Sequence, residues 1–397
     1  MSRVSRLGVA LLVAGAVCAC NSSAATPQPS LSPSPSQSSG PTAPVPALSC
    51  TAKPSAASQP LVMVEVRDSP SIQIDSFADP AHPVVMCELT GAASNVKFIS
   101  ATEIGFTYNP SMNDPISNTS WIERMSLSNG RAVKVTSFQG DALDIAWSPD
   151  GASVAYLAYT YAPGLGSGDA NQLWLKAGAA DPKALTPLIP LFGRGGSISD
   201  QTIVRFSHDG KYLLMVDTFV AGLAPPGADQ AIVQVRSVPD GSLVFVPPSA
   251  LQVSGGKGGA FVTMAAWSHL SNRLFYRDLN GVHTWDPSGT MTTLAAGLAW
   301  SQPSLSTDDR FVAYTVYADG PPHIEIRDLV SSSVRALPGP IGTPILLSDT
   351  AMLEAHYGPN QGMGPPYLEA GWFALNLSTN KETSLPSTLR PIEIWPH

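Results

Sequence analysis

"AWSPDGASVAYLAY", residues Ala146 to Tyr159, joins a short apolar strand to a second strand of Val, Ala and Tyr through the turn Ser148-Pro149-Asp150-Gly151. Two strand-like runs around a Pro-Asp-Gly turn read as a β-hairpin. The pattern returns five times: "KFISATEIGFTY" from Lys97, "RFSHDGKYLLMV" from Arg205, "AWSHLSNRLFYR" from Ala266, "PSLSTDDRFVAY" from Pro303 and "ILLSDTAMLEAH" from Ile345. The shared element is a Ser closing the first strand: Ser100, Ser148, Ser207, Ser268, Ser306 and Ser348, at spacings of 48, 59, 61, 38 and 42 residues. Irregular spacing of a regular unit implies loop insertions.

Each hairpin is followed by another strand pair, such as "SWIERMSLSNGRAVKVT" from Ser120 or "IVQVRSVPDGSLVFV" from Ile232. Alternating apolar positions and tight Asn-Gly or Asp-Gly turns mark these as hairpins too. Every unit is then a four-stranded antiparallel meander, and repeats of about 40 to 50 residues with four strands signify β-propeller blades. Three further strands, "LVMVEVR", "SIQIDSF" and "PVVMCELT", precede the first unit, and one orphan, "RPIEIW", ends the chain. Together they make a seventh blade closed by both ends, which removes the open sheet edge. Six blades with an N-terminal extension is the second arrangement the strands allow. The wording of the turns, "WSPDG" and "FSHDG", resembles the TolB-type β-propeller repeat, a relative of the WD repeat. That resemblance covers residues 61–397 and implies an all-β propeller; because the family hosts binding proteins and peptidase-attached domains alike, it implies no single function.

The ends speak to location. Arg3 and Arg6 precede a 13-residue apolar run, Leu7 to Ala19, which has the layout of a secretory signal and is too short to span a bilayer. Its end, "VCAC", resembles the bacterial lipobox, with Cys20 as the acylated residue and residues 1–20 as the signal; Cys18 as acceptor, or plain cleavage near Ala24, also fits. Residues 21–60 are mostly Ser, Pro, Ala and Thr with almost no charge, the composition of a disordered, extended tether. Of four cysteines, two lie in the signal, so Cys50 and Cys87 are expected to form a disulfide in an oxidising compartment. The formal charge is −8, and −10 once Arg3 and Arg6 leave with the signal, which argues against nucleic acid or anionic lipid as main partner. Membrane contact is expected through the lipid anchor alone, on a monomer.

No catalytic set is visible. Asp150, Asp209 and Asp308 sit in the repeated turns, where Asp holds the backbone. Trp121, Trp174, Trp285 and Trp372 recur in the third strand of their units, a packing position. Seven His residues are scattered without zinc-ligand spacing, so neither metal nor cofactor is expected. What varies is the connection between second and third strands. It is long in four units, Asn109 to Thr119, Tyr161 to Asn171, Phe219 to Asp229 and Tyr357 to Ala370, and all four share one face with the blade-to-blade crossings. Tyr161, Arg194, His356 and Tyr357 are the candidate contacts there, since aromatic and Arg side chains dominate binding hot spots. The expectation is an extracytoplasmic, membrane-anchored binding platform for a protein or envelope glycan. A glycan hydrolase or lyase with its site in the central funnel, and capture of a small solute there, are the alternatives.

Overall fold

The computed structural model describes residues 43–395 apart from 56–58, 111–118, 162–168, 191–202, 217–232, 249–263, 279, 297–302, 317–321, 340 and 360–366. Strand pairing makes seven antiparallel sheets, each a four-stranded blade at its core. Blade 1 runs Leu389–Trp395, Leu61–Val66, Ile72–Ser76 and Val84–Thr90 from first strand to last. Blade 2 is Ala93–Ser100, Glu103–Tyr108, Thr119–Ser126 and Ala132–Gln139; blade 3 is Asp141–Trp147, Ser153–Tyr161, Asp169–Ala177 and Lys183–Ala184. Blade 4 is Ile203–Phe206, Tyr212–Val216, Val233–Ser237 and Leu243–Phe245; blade 5 is Met264–Trp267, Leu274–Asp278, Gly281–Trp285 and Met291–Ala296. Blade 6 is Ser304–Leu305, Phe311–Val316, His323–Asp328 and Val334–Leu337; blade 7 is Ile341–Leu346, Ala351–Pro359, Tyr367–Asn376 and Lys381–Ser384.

The ring closes as the sequence suggests, with seven blades. The C-terminal strand lies against Leu61–Val66, pairing Leu61 with Trp395 and Val66 with Leu389. Both faces of every sheet are apolar because each blade is sandwiched between two others, and each gap holds its own core. Leu61, Met63 and Leu89 meet Phe98, Ile104 and Phe106 between blades 1 and 2; Ile122 meets Ile145 and Tyr156 between 2 and 3. Leu157 and Leu173 meet Val204 and Met215 between 3 and 4, Val233 and Val235 meet Trp267 and Tyr276 between 4 and 5, and Phe275 meets Val312 and Tyr314 between 5 and 6. Ile324 and Ile326 meet Met352 and Leu375 between 6 and 7. Val62, Val64 and Phe77 meet Leu353 and Trp372 between 7 and 1, completing the circle.

One strand corrects the boundary of the tether. Ala47–Cys50, inside the stretch read as disordered residues 21–60, adds a fifth strand to the outer edge of blade 1. Its register sets Cys50 directly opposite Cys87, and the two form a disulfide. Tyr108 Oη also donates to the carbonyl of buried Ala43 at 3.0 Å. A polar, Pro-rich segment lacks the apolar surface to dock by itself; the covalent bond and the backbone ladder supply what composition does not. Such disulfides form and persist in oxidising compartments.

Candidate functional site

The carboxylates of the repeated turns are held inside the turns. Ser148 Oγ donates to Asp150 Oδ1 at 2.5 Å, that oxygen accepts the Ala152 N–H at 3.0 Å, and Ser153 N–H donates to Ser148 Oγ at 2.9 Å. Gly151 sits at φ +65°, the left-handed position the turn requires. The Ser148 hydroxyl and the Ala152 amide hold the Asp150 carboxyl below the usual carboxylate range. Asp209 and Asp308 repeat this with Ser207 and Ser306. In blade 5 the turn "SHLSN" has no Asp, and Asp309 of blade 6 takes its place, accepting from Ser268 Oγ and, at 2.9 Å each, from the amides of His269 and Leu270. The recurrent tryptophans pack as expected: Trp285 and Trp372 are buried between blades, and Trp121 and Trp174 lie against the cores.

The opposite face is uneven. In blade 3 the first strand begins at Asp141, level with Tyr159, while the second continues through Thr160 and Tyr161, paired with Ala170 and Asp169. In blade 7 the first strand begins at Ile341, level with His356, and Tyr357 to Pro359 continue past it, paired with Glu369 to Tyr367. Parts of two expected loops are therefore strand, nine and nine residues in blade 3 and nine and ten in blade 7, against five and five in blade 5. Blades 1 and 2 lie between these tall hairpins. On blade 1 the connection Arg67 to Ser71 borders a depression of about 520 Å³ that also takes in Glu65, Ala93 and Arg390. Arg390 Nη1 pairs with Glu65 Oε2 at 3.6 Å on its wall.

Of the four candidate contacts, His356 and Tyr357 lie with their side chains among the described residues. Tyr161 ends the tall strand of blade 3, and its side chain lies outside the described residues, as do the whole of Arg194 and Phe219 to Asp229. Tyr357 is half-buried: its hydroxyl lies 2.6 Å from Thr343 Oγ1, and the Thr343 amide donates to Thr315 Oγ1 of blade 6 at 2.9 Å. His356 turns away from the rim. Its ring stacks on Phe373 with centroids 3.8 Å apart, and Nε2 stands 3.4 Å from Glu354 Oε1 and 3.5 Å from Glu382 Oε2. Glu354 and His356, two apart on one strand, share a sheet face; Glu382 reaches the same spot from the blade's last strand. Glu354 has no solvent exposure, whereas the His356 and Glu382 side chains are 30% and 44% exposed. Burial, then the nearby Glu382, pushes the Glu354 carboxyl up to about 7, and burial lowers the His356 imidazole against the pull of Glu382. These three could hold a metal ion, since their ligand atoms all lie within 4.8 Å of one another. Sequence spacing hides this set, because Glu382 is brought in only by the sheet.

A second polar group escaped the sequence reading. The first strands of four blades bring together Lys97, Asp144, Arg205 and Glu393. Lys97 Nζ lies 3.1 Å from Asp144 Oδ1 and 3.3 Å from Glu393 Oε2, and Arg205 Nη1 lies 2.9 Å from Asp144 Oδ2, which also accepts the Val204 amide at 2.8 Å. Two cations face two carboxylates. The group clamps blades 1 to 4 at their inner edge.

No protein-family model matches the chain, and no curated protein matches it. Among solved structures, TolB from Acinetobacter baumannii is similar with a TM-score of 0.41 at 17% identity, over 72% of this chain and 65% of that one. A prolyl endopeptidase gives 0.48 at 12% identity over 83% and 50%. The β-propeller domain of the Trilobed protease from Pyrococcus furiosus, described there as an open velcro topology, gives 0.43 at 10% over 74% and 84%. The chain thus spans 65% and 50% of the first two. The fold, the blade number and the closure rest on this chain's own strand pairing.

Proposed function

We propose that this chain is an exported lipoprotein, anchored through Cys20, whose propeller serves as an extracytoplasmic binding platform for a protein or an envelope glycan. The observation that carries the reading is the uneven face: hairpins of blades 3 and 7 rise past their own first strands and flank the depression on blade 1. Concave ground between raised walls is where ligands and partners seat, and connecting segments on a rigid scaffold commonly carry function. The Cys50–Cys87 bond supports an oxidising location. The signal-like run and lipobox-like "VCAC" support the anchor; among the described residues no helix is long and apolar enough to cross a membrane.

Two measurements test it. Cys20→Ala is expected to move the protein from the membrane to the soluble fraction, and persistence in the membrane would refute the anchor. A photo-crosslinking residue at position 161 or 68, on the uneven face, is expected to give discrete adducts on intact cells or isolated cell-wall glycan, and one at position 240, on the opposite face, none. Adducts from position 240 alone would refute the choice of face, and release of shortened glycan by the purified protein would replace the platform with an enzyme.

A further inference from the structure

We infer that Glu354, His356 and Glu382 form a zinc-binding site on the face of blade 7 that looks toward blade 6. The distances come first. A zinc ion bonds His nitrogen and carboxylate oxygen at about 2.0 to 2.2 Å in a tetrahedron, so two of its ligand atoms stand roughly 3.4 Å apart by simple geometry. His356 Nε2 stands 3.4 Å from Glu354 Oε1 and 3.5 Å from Glu382 Oε2. Those separations are long for N–H···O bonds, and one ring N–H shared between two carboxylates would serve each of them weakly. Both match two edges of a tetrahedral zinc shell, and the third pair of ligand atoms lies within 4.8 Å.

The second observation is independent of those distances. Glu354 is fully buried and its Oε2 has no hydrogen-bond partner. A buried carboxylate is costly unless a hydrogen bond, a cation or a metal meets it, and no Lys or Arg lies within ion-pair distance of it among the described residues. A divalent ion would satisfy it and relieve the crowding of Glu382 against it. The ring is also preset: stacking on Phe373 fixes the imidazole plane with Nε2 toward both carboxylates. The exposed side of Glu382 gives the ion a route in from water and leaves room for a water as fourth ligand. One imidazole and two carboxylates suit zinc, as in three-ligand zinc sites, while calcium takes six to eight oxygens and magnesium a near-octahedral oxygen shell. The ion would tie the second strand of blade 7 to its last.

The test uses chelator-stripped full-length protein and zinc chloride, with calcium and magnesium chloride as comparisons. The expected result is uptake of one zinc ion per chain, a higher melting temperature with zinc and none with calcium or magnesium. His356→Gln and Glu382→Gln should each weaken uptake at least roughly tenfold, a loss of the size that disturbing a zinc site produces. The Glu382 side chain is 44% exposed, so its variant keeps the fold and decides the matter if Glu354→Gln fails to fold. His82→Gln, at an exposed His–Asp pair on blade 1, should bind zinc as the parent does. Cobalt in place of zinc should show the visible absorption of a four-coordinate ion, lost in Glu382→Gln. No uptake at a roughly tenfold excess of zinc, where binding would raise stability by mass action, would overturn the site; so would unchanged uptake in both His356→Gln and Glu382→Gln.

Discussion

The two faces of the ring are built on opposite terms. On one, the same short device recurs: a Ser hydroxyl, an Asp carboxylate and a residue at positive φ close the hairpins of blades 3, 4 and 6 on themselves. On the other, the described strands vary from blade to blade, five residues long in blade 5 and nine or ten in blade 7. Repetition marks what the fold needs in every blade; departure from it marks where blades are free to differ, and hence where a partner can be specified. The contrast predicts that substitutions in the repeated frame cost stability and that substitutions at the rim of the uneven face do not.

The largest loss should come from the inner clamp of the frame. Asp144→Ala removes the buried carboxylate that answers Lys97, Arg205 and the Val204 amide together, leaving two partly buried cations with one acid between them. Breaking a buried pair by deleting one partner costs about 3 to 5 kcal/mol. Urea unfolding should show it, and a cost below about 1 kcal/mol, the range of exposed pairs, would mean that the clamp carries little.

Blade 1 tests the contrast from the other side, because its second strand begins opposite Trp395 of the C-terminal strand and not after a Ser turn. Buried Asp75 lies close by, paired across the sheet with Val62, and its Oδ1 has no hydrogen-bond partner. Burial pushes its carboxyl up to about 6 from 3.8. The native state therefore holds the proton over a range where the unfolded chain has released it, so stability falls between about pH 4 and pH 6 and stays reduced above. Asp75→Asn should abolish that fall, gaining up to about 3 kcal/mol at pH 8 at 1.36 kcal/mol per pH unit and almost nothing at pH 4. An equal effect at both pH values would locate its cause elsewhere.

A smaller effect should cross between blades. Asp309 serves the Ser268 turn of the preceding blade, so Asp309→Asn should cost about 2 kcal/mol by weakening charge-assisted bonds. In a double-mutant cycle with Ser268→Ala the two should couple by at least about 0.5 kcal/mol. Additive losses would leave each turn self-contained.

Much of the frame was legible because it repeats. Six serines and the strand periodicity around them suffice for six blades, and the leftover strands at the two ends suffice for the closure at Leu61 and Trp395. The Cys50–Cys87 bond was legible by counting. The strand carrying Cys50 was not, because its composition is that of a tether and its order comes from a partner 37 residues away. The candidate site was legible only as a face. Glu354, His356 and Glu382 converge through sheet register, which no local spacing reports, and blade 5 hides its turn acid in blade 6. Tyr357, singled out as a contact, carries a hydrogen bond and packing that a loop residue would lack.

That tyrosine gives the smallest and sharpest test, in comparison with Tyr161. Both sit where a tall hairpin passes the end of its first strand, one in blade 7 and one in blade 3. The Tyr357 hydroxyl meets Thr343, whose amide reaches Thr315 of blade 6, so Tyr357→Phe removes a bond within blade 7 that holds the residue linking it to blade 6. Removing one neutral hydrogen bond of this kind costs about 0.5 to 1.5 kcal/mol. Tyr161→Phe is expected to stay within about 0.5 kcal/mol, while reducing adduct formation from position 68 on the same face. Thermal unfolding of the two variants side by side measures the difference. Equal losses would place Tyr161 in the frame and move the boundary between the two faces above it; no loss from either would show the Tyr357 link to be incidental and leave the rim of blade 7 as free to vary as that of blade 3.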